Sequence, residues 1–183
     1  NSTYDGLCYN AEMVKQALGD SVEVLHFDEA WYAYAAFHPF YENHYGMAKG
    51  KPREQDAIIF TTHSTHKLLA GISQASQIIV QESETRKLDR NVFNEAYLMH
   101  TSTSPQYAII ASCDVAAAMM EPPGGTALVE ESIREAMDFR RAMRKVESEF
   151  GKNDWWFKVW GPNRLVSEGI GNRDEWILES NDH

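Results

Sequence analysis

The stretch AIIFTTHSTHK, residues 57–67, decides how this chain folds. Its first part, 57–62, is an apolar run rich in β-branched residues that indicates a buried strand, and the stretch ends at Lys67. A second apolar run, 22–27, is followed in the same way by Asp28. Ligands of open parallel sheets bind beyond the carboxyl ends of the strands, so we expect Asp28 and Lys67 on the ligand-binding side of one sheet.

Strands alternate with helices along the chain, which indicates an α/β architecture with a largely parallel sheet. The patterns predict helices at 7–18, 68–76, 91–99, 105–120 and 126–150, further strands at 77–80, 155–160 and 175–179, and an irregular stretch at 38–55. Ser104 is the expected N-cap of the fourth helix, and the Ala and Met content of that helix predicts burial. The fifth helix carries an apolar face from Val129 to Phe150. Because the first helix has no strand before it, we expect a fragment of a longer chain.

Composition and charge argue against several classes of protein. The 183 residues include 17 Lys and Arg against 27 Asp and Glu, a net charge of −10. This acidity argues against nucleic-acid binding, which needs phosphate neutralisation. No apolar run reaches the ~20 residues that span a bilayer, so we predict no membrane partner. Cys8 and Cys113 lie in apolar helical patterns and are interpreted as reduced core thiols of a cytoplasmic protein.

A lysine and an aspartate at the ends of strands are the residues that pyridoxal phosphate (PLP) chemistry needs. The lysine amine bonds covalently to the cofactor aldehyde, and a carboxylate keeps the pyridine nitrogen protonated. Ser64 and His66 offer donors for the phosphate. Other interpretations stay open, because a lysine after a strand is often solvated and an aspartate there often caps a turn. His63 and His66 are also metal-ligand types, but no Cys or carboxylate lies at tight spacing, and we predict no metal site.

Six motifs along the chain carry a family resemblance. They are NSTYDG at 1–6, FDEAWY at 27–32, THSTHKLL at 62–69, SQAS at 73–76, FNEAY at 93–97 and TSP at 103–105. In this order they resemble the PLP-dependent ornithine/lysine/arginine decarboxylases of bacteria, up to about Pro162. The resemblance implies the aminotransferase-like (type I) PLP fold. Residues 1–162 would then be part of the PLP-binding major domain, and 163–183 the start of a variable C-terminal portion.

The same resemblance implies a role for each candidate site residue. Lys67 would be the Schiff-base lysine, and Asp28 the partner of the pyridine nitrogen. Trp31, by default a core aromatic, would line the cofactor pocket. Ser64 and His66 would contact the phosphate side of PLP.

A sixth site residue is implied across a subunit boundary. In this family a hydroxyl from the neighbouring subunit reaches the phosphate. Ser102 occupies that position, where the family more often has Thr. The resemblance therefore also implies a homodimer or a higher homo-oligomer for the full-length protein.

The expected reaction is the decarboxylation of a basic amino acid. The segments 28–35, 41–50 and 111–116 look most like the inducible, acid-stress arginine decarboxylases. This likeness favours L-arginine to agmatine plus CO2 for the full-length parent, with lysine and ornithine as alternative substrates. The fragment itself is expected to be inactive, because upstream and downstream segments complete the family's active site. An aminotransferase is a weaker alternative, and a non-catalytic module that self-associates is an alternative of another class.

Overall fold

The chain divides into two compact units. The structure, a computed structural model, describes residues 2–47, 55–151 and 156–159. One unit spans residues 1–125 and the other spans residues 126–183. The sheet and the candidate site belong to the first unit, and most of the last helix belongs to the second.

A three-stranded sheet, in the order β1-β2-β3, organises the first unit. Its strands are β1 (Val24–Asp28), β2 (Ile58–His63) and β3 (Gln77–Gln81). β1 pairs with β2 in parallel, whereas β3 pairs with β2 antiparallel. The α/β class and the parallel pairing of the first two strands are therefore confirmed, and the third strand runs in the opposite direction to the other two.

The buried residues of the sheet lie mainly along the central strand, β2. Ile58, Ile59 and Thr61 of β2 are buried, and Ala57 just before the strand is also buried. Full burial of an Ile side chain stabilises a fold by about 1.5–3 kcal/mol, so the apolar run contributes strongly here. β1 is more exposed, because its burial alternates between exposed and half-buried residues.

Five α-helices and two short 3-10 turns complete the described elements. They are α1 (Ala11–Leu18), α2 (Thr65–Leu68), α3 (Arg90–His100), α4 (Tyr107–Met119) and α5 (Gly124–Phe150), with the turns at Ala35–Phe37 and Pro39–Tyr41. Two helices have side-chain caps of the expected kind. Asn10 Oδ1 accepts the Met13 N–H at 3.0 Å, and Asp89 Oδ1 accepts the Asn91 N–H at 2.9 Å.

The predicted helix at 68–76 is wrong. The helical turn at this place is α2, which is only four residues long, begins three residues earlier and includes Lys67. Beyond it the chain folds back, because Gln74 has a φ of 78° and the Ala75 carbonyl accepts the N–H of His66 at 3.1 Å. A Cβ at Gly71 would lie 2.9 Å from the Ala75 Cβ, so this close return requires glycine.

The predicted start and burial of the fourth helix are also wrong. Gln106 occupies the N-cap of α4, and the Ser104 N–H instead donates to Ser102 Oγ in a local turn. Within the described helix only Ser112 and Ala116 are buried. Alanine-rich composition favours a helix in any setting, so it did not report burial here.

The apolar face of the last helix is confirmed over its first half. Val129, Ile133 and Met137 are buried at a spacing of four residues, whereas Phe150 at the end is half exposed. Residues 156–159, part of a predicted strand, have no regular structure. The predicted strand at 175–179 and the domain boundary at 162 lie outside the described residues.

The two cysteines are free thiols, but neither is fully buried. Cys8 is exposed and Cys113 is partly exposed, so the predicted core position of Cys8 is wrong. The cytoplasmic location that both residues suggested stays a prediction. In the described part of the chain, no helix is long and apolar enough to cross a membrane.

Three tyrosines order the segment that follows β1. The rings of Tyr32, Tyr34 and Tyr41 meet edge to face, with 5.5 Å between each pair of centroids. Burial raises the pKa of both the Tyr32 and the Tyr34 phenols, so both remain neutral. Because Trp31 directly precedes this cluster, the cluster fixes the backbone from which its indole extends.

Candidate active site

The candidate site is built at the carboxyl ends of β1 and β2. Asp28, the last residue of β1, lies opposite Thr62 of β2. The next backbone group, the Glu29 N–H, donates to the Thr62 carbonyl at 3.0 Å. β2 ends one residue later, and α2 begins after Ser64. The two chain segments that carry the predicted site residues therefore leave the sheet side by side.

Lys67 and Trp31 are brought together above this edge. The Lys67 Nζ lies 4.8 Å from the centroid of the Trp31 ring, a distance at which a cation and a π system attract. The backbone of Lys67 is held in α2, since its N–H donates to the Ser64 carbonyl at 3.0 Å. Trp31 is 42% exposed, so it is not a core aromatic but a surface ring beside Lys67.

Asp28 presents an exposed carboxylate at the same edge. Its Oδ1 accepts the N–H of Ala30 at 3.0 Å, which orients the side chain at the start of the following turn. Asp28 therefore does cap a turn, which was one of the interpretations that the sequence left open. This leaves the second carboxylate oxygen, Oδ2, as the atom that can meet a cationic ring nitrogen.

Ser64 precedes the helical turn α2, and His66 lies within it. Ser64 is the N-cap of α2, yet its hydroxyl makes no capping hydrogen bond. The His66 Nδ1 lies 2.8 Å from the Ala75 carbonyl, which only accepts, so Nδ1 carries the proton. Nε2 is then the ring nitrogen left to meet a ligand.

Ser102 comes from a different part of the chain than the other predicted site residues. It is exposed in the segment between α3 and α4, and its hydroxyl accepts the Ser104 N–H at 3.1 Å. The hydrogen bond that the structure gives Ser102 is thus a local one. The role that the resemblance implies for it, in the site of a neighbouring subunit, stays a prediction.

Sequence reasoning missed a partly buried pair beside the site. Glu29 is 4% exposed, and its Oε2 lies 3.0 Å from the Nε2 of His63. The two residues are 34 positions apart, and each directly neighbours a predicted site residue, Asp28 or Ser64. The signal that was available is a carboxylate and an imidazole at the ends of two strands predicted to share a sheet.

The histidines of this segment do not gather around a metal position. His63 contacts Glu29, whereas His66 contacts the Ala75 carbonyl. Across residues 2–47, 55–151 and 156–159, no group of three or more His, Cys, Asp or Glu side chains is placed to hold a metal ion.

The residues at this edge fit PLP by their chemistry. Lys67 supplies an exposed amine for an aldehyde, and Asp28 supplies an exposed carboxylate for a protonated pyridine nitrogen. Ser64 supplies a hydroxyl that is not used for capping and can donate to a phosphate. The Trp31 indole beside Lys67 supplies a flat apolar surface.

Comparison with known proteins gives a consistent result. The family model for the Orn/Lys/Arg decarboxylase major domain matches residues 1–183. The lysine decarboxylase LdcA of Pseudomonas aeruginosa is 61% identical over 180 residues, which are 98% of this chain and 24% of that protein. The biodegradative arginine decarboxylase of Escherichia coli is 49% identical over 173 residues, 93% of this chain and 23% of that protein.

The solved structures agree with this match. The lysine decarboxylase A structure from Pseudomonas aeruginosa superposes on this fold with a TM-score of 0.85 at 61% identity, covering 98% of this chain and 24% of that one. The chain thus spans about a quarter of the length of the curated relatives it matches.

Proposed function

The chain belongs to the Orn/Lys/Arg decarboxylase family, and we propose that it forms part of the PLP-binding region of an enzyme that decarboxylates a basic amino acid. The observation that carries the proposal is the edge of the sheet where Lys67 Nζ lies 4.8 Å from the Trp31 ring and Asp28 ends the adjacent strand. The named relatives that match are amino-acid decarboxylases. The decarboxylases of this family depend on PLP.

Each residue of the edge has a proposed task. Lys67 holds the cofactor covalently, and Asp28 keeps the proton on the ring nitrogen. PLP, when bound, accepts the electron pair left behind when CO2 departs. Trp31 shields one side of the Lys67 amine from water, and Ser64 and His66 bind the phosphate.

For the substrate, the names of two relatives point to different amino acids. The expectation of arginine came from short segments, whereas LdcA, named a lysine decarboxylase, shares 61% identity over the chain and the arginine enzyme shares 49%. We therefore propose L-lysine as the preferred substrate and keep L-arginine as the alternative. Ornithine is less favoured, because the constitutive ornithine decarboxylase of Escherichia coli is 36% identical over 150 residues.

A substrate panel tests this proposal. The full-length protein that carries this chain, loaded with PLP, is given L-lysine, L-arginine or L-ornithine, and CO2 and the corresponding amine are measured. We expect lysine to have the highest kcat/KM. Dominant arginine turnover would overturn only the lysine assignment, and no turnover of any of the three would overturn the class.

A second candidate function, self-association, has its own observation. Large apolar side chains are exposed along α3 and α4: Val92, Tyr97, Leu98, Met99, Tyr107, Ile110, Val115 and Met119. Exposed apolar side chains on two successive helices suit contact with other protein. In the full-length protein the same faces suit the homodimer or higher homo-oligomer that the family resemblance implies. For the isolated chain they suit a non-catalytic module that self-associates.

Light scattering on the isolated 183-residue chain tests the second candidate. Self-association predicts a mass above 20.8 kDa that rises with concentration. The same preparation should release no more amine from lysine or arginine than its Lys67→Ala variant. A monomer at every concentration would contradict self-association, and amine release above the variant would contradict the inactive module.

A further inference from the structure

The partly buried pair of Glu29 and His63 links the ends of β1 and β2. Glu29 is 4% exposed, and each of its carboxylate oxygens has a partner. Oε2 lies 3.0 Å from the Nε2 of His63, and Oε1 accepts the N–H of Gly46. A buried carboxylate needs such partners, because an unpaired one loses its hydration without compensation.

The contact with Glu29 requires glycine at position 46. A Cβ at position 46 would lie 2.7 Å from Thr61 Oγ1 and 2.9 Å from Phe27 Cδ2. Only glycine lets the backbone come this close to both strands and present its N–H to Glu29. The carboxylate therefore joins three segments: the end of β1, the end of β2 and the connection between them.

The pair is placed where it can set the geometry of the proposed site. Glu29 directly follows Asp28, and His63 comes four residues before Lys67. A change in the distance between Glu29 and His63 therefore moves the Asp28 carboxylate and the Lys67 amine relative to each other. A displacement of about 1 Å at a reacting group costs as much as a hundredfold in rate.

We propose that Glu29 and His63 are positioning residues that hold the proposed partner of the ring nitrogen, Asp28, and the proposed PLP lysine, Lys67, at the spacing that PLP requires. This inference rests on the proposed function of the site. Under this inference Glu29 does not touch the cofactor, because its carboxylate is buried and both of its oxygens are engaged. Their effect reaches PLP through the backbone that they join.

The test compares PLP binding by variants of the full-length protein. The apoenzymes of the wild type, Glu29→Ala, His63→Ala and Glu29→Gln are titrated with PLP, and the Kd and the absorption maximum of the bound cofactor are recorded. We expect Glu29→Ala and His63→Ala each to weaken binding about tenfold and to shift the absorption maximum. Glu29→Gln, which keeps an oxygen for the Gly46 N–H, should restore most of the affinity. The double alanine variant should lose no more than either single one, because both remove the same contact.

Ser83→Ala is the matched control. Ser83 is 5% exposed, and its hydroxyl donates to Asp56 at 3.1 Å, so it is also a buried polar residue in a hydrogen-bonded cluster. It follows β3, whose end pairs with the start of β2, and so lies at the other end of the sheet from the site. This variant should keep the wild-type Kd and spectrum.

The outcomes separate the inference from the proposed function. Wild-type affinity and spectrum in folded Glu29→Ala and His63→Ala would overturn the inference while leaving the site intact. An equal loss in Ser83→Ala would overturn it too, as a general effect of destabilisation. If Glu29→Ala does not fold, His63→Ala and Glu29→Gln decide the question. A wild type that binds no PLP would overturn the proposed function together with the inference.

Discussion

We expect the Lys67→Ala variant of the full-length enzyme to lose covalent PLP binding and decarboxylation. Lys67 is the amine that lies 4.8 Å from the Trp31 ring at the sheet edge, and alanine leaves no nucleophile there. Removing a covalent catalytic group commonly costs a thousandfold or more, so we expect kcat to fall by at least about 1,000-fold. The measurement has two parts: amine release by the full-length enzyme, and borohydride reduction with PLP followed by peptide mass spectrometry.

Lys87→Ala is the control for this experiment. Lys87 is also an exposed lysine, and its Nζ donates to the Ser83 carbonyl at 2.8 Å, near the opposite end of the sheet. It should keep wild-type turnover and the wild-type labelled peptide. Labelling scattered over several lysines in the wild type, or unchanged turnover in Lys67→Ala, would contradict the role of Lys67.

The strands were predictable because their signal is local. The apolar runs before Asp28 and His63 stand out against polar neighbours, and both strands lie within two residues of their predicted limits. The direction of β3 was not predictable in this way. It depends on the turn made by Gly71 and Gln74, where a close backbone return and a positive φ replace the predicted helix.

The positions of site residues that directly follow a strand could be predicted from the sequence. Contacts between side chains that are distant in the sequence could not. Asp28 and Lys67 could be placed at one edge, because parallel strands bring their carboxyl ends together. For Glu29 and His63 the sequence offered the two residue types at the ends of these strands, but not their contact, which depends on a register that only the folded sheet defines. The exposure of α4 was missed for a related reason: composition records helix propensity, but burial depends on which other elements pack against the helix.

Asp28→Asn should separate covalent attachment of PLP from protonation of its ring nitrogen. The asparagine keeps an oxygen for the Ala30 N–H, which Asp28 Oδ1 accepts at 3.0 Å, so the turn after β1 is retained. It loses the negative charge that would keep the proton on the ring nitrogen of PLP. Removal of one electrostatic partner of a reacting group typically costs 100- to 1,000-fold, and we expect kcat to fall by about 100-fold. Labelling of Lys67 by PLP and borohydride should persist, because the amine is untouched.

Asp89→Asn is a closely matched comparison, since it changes the same group in the same local setting. Asp89 Oδ1 accepts the N–H of the residue two positions later at 2.9 Å, just as Asp28 does, but it caps α3. Its substitution should leave kcat and the spectrum of the bound cofactor unchanged. Equal turnover by the two asparagine variants would mean that Asp28 only caps its turn. A loss of Lys67 labelling in Asp28→Asn would mean that the carboxylate is needed to bind PLP, and not only to hold the proton once PLP is bound.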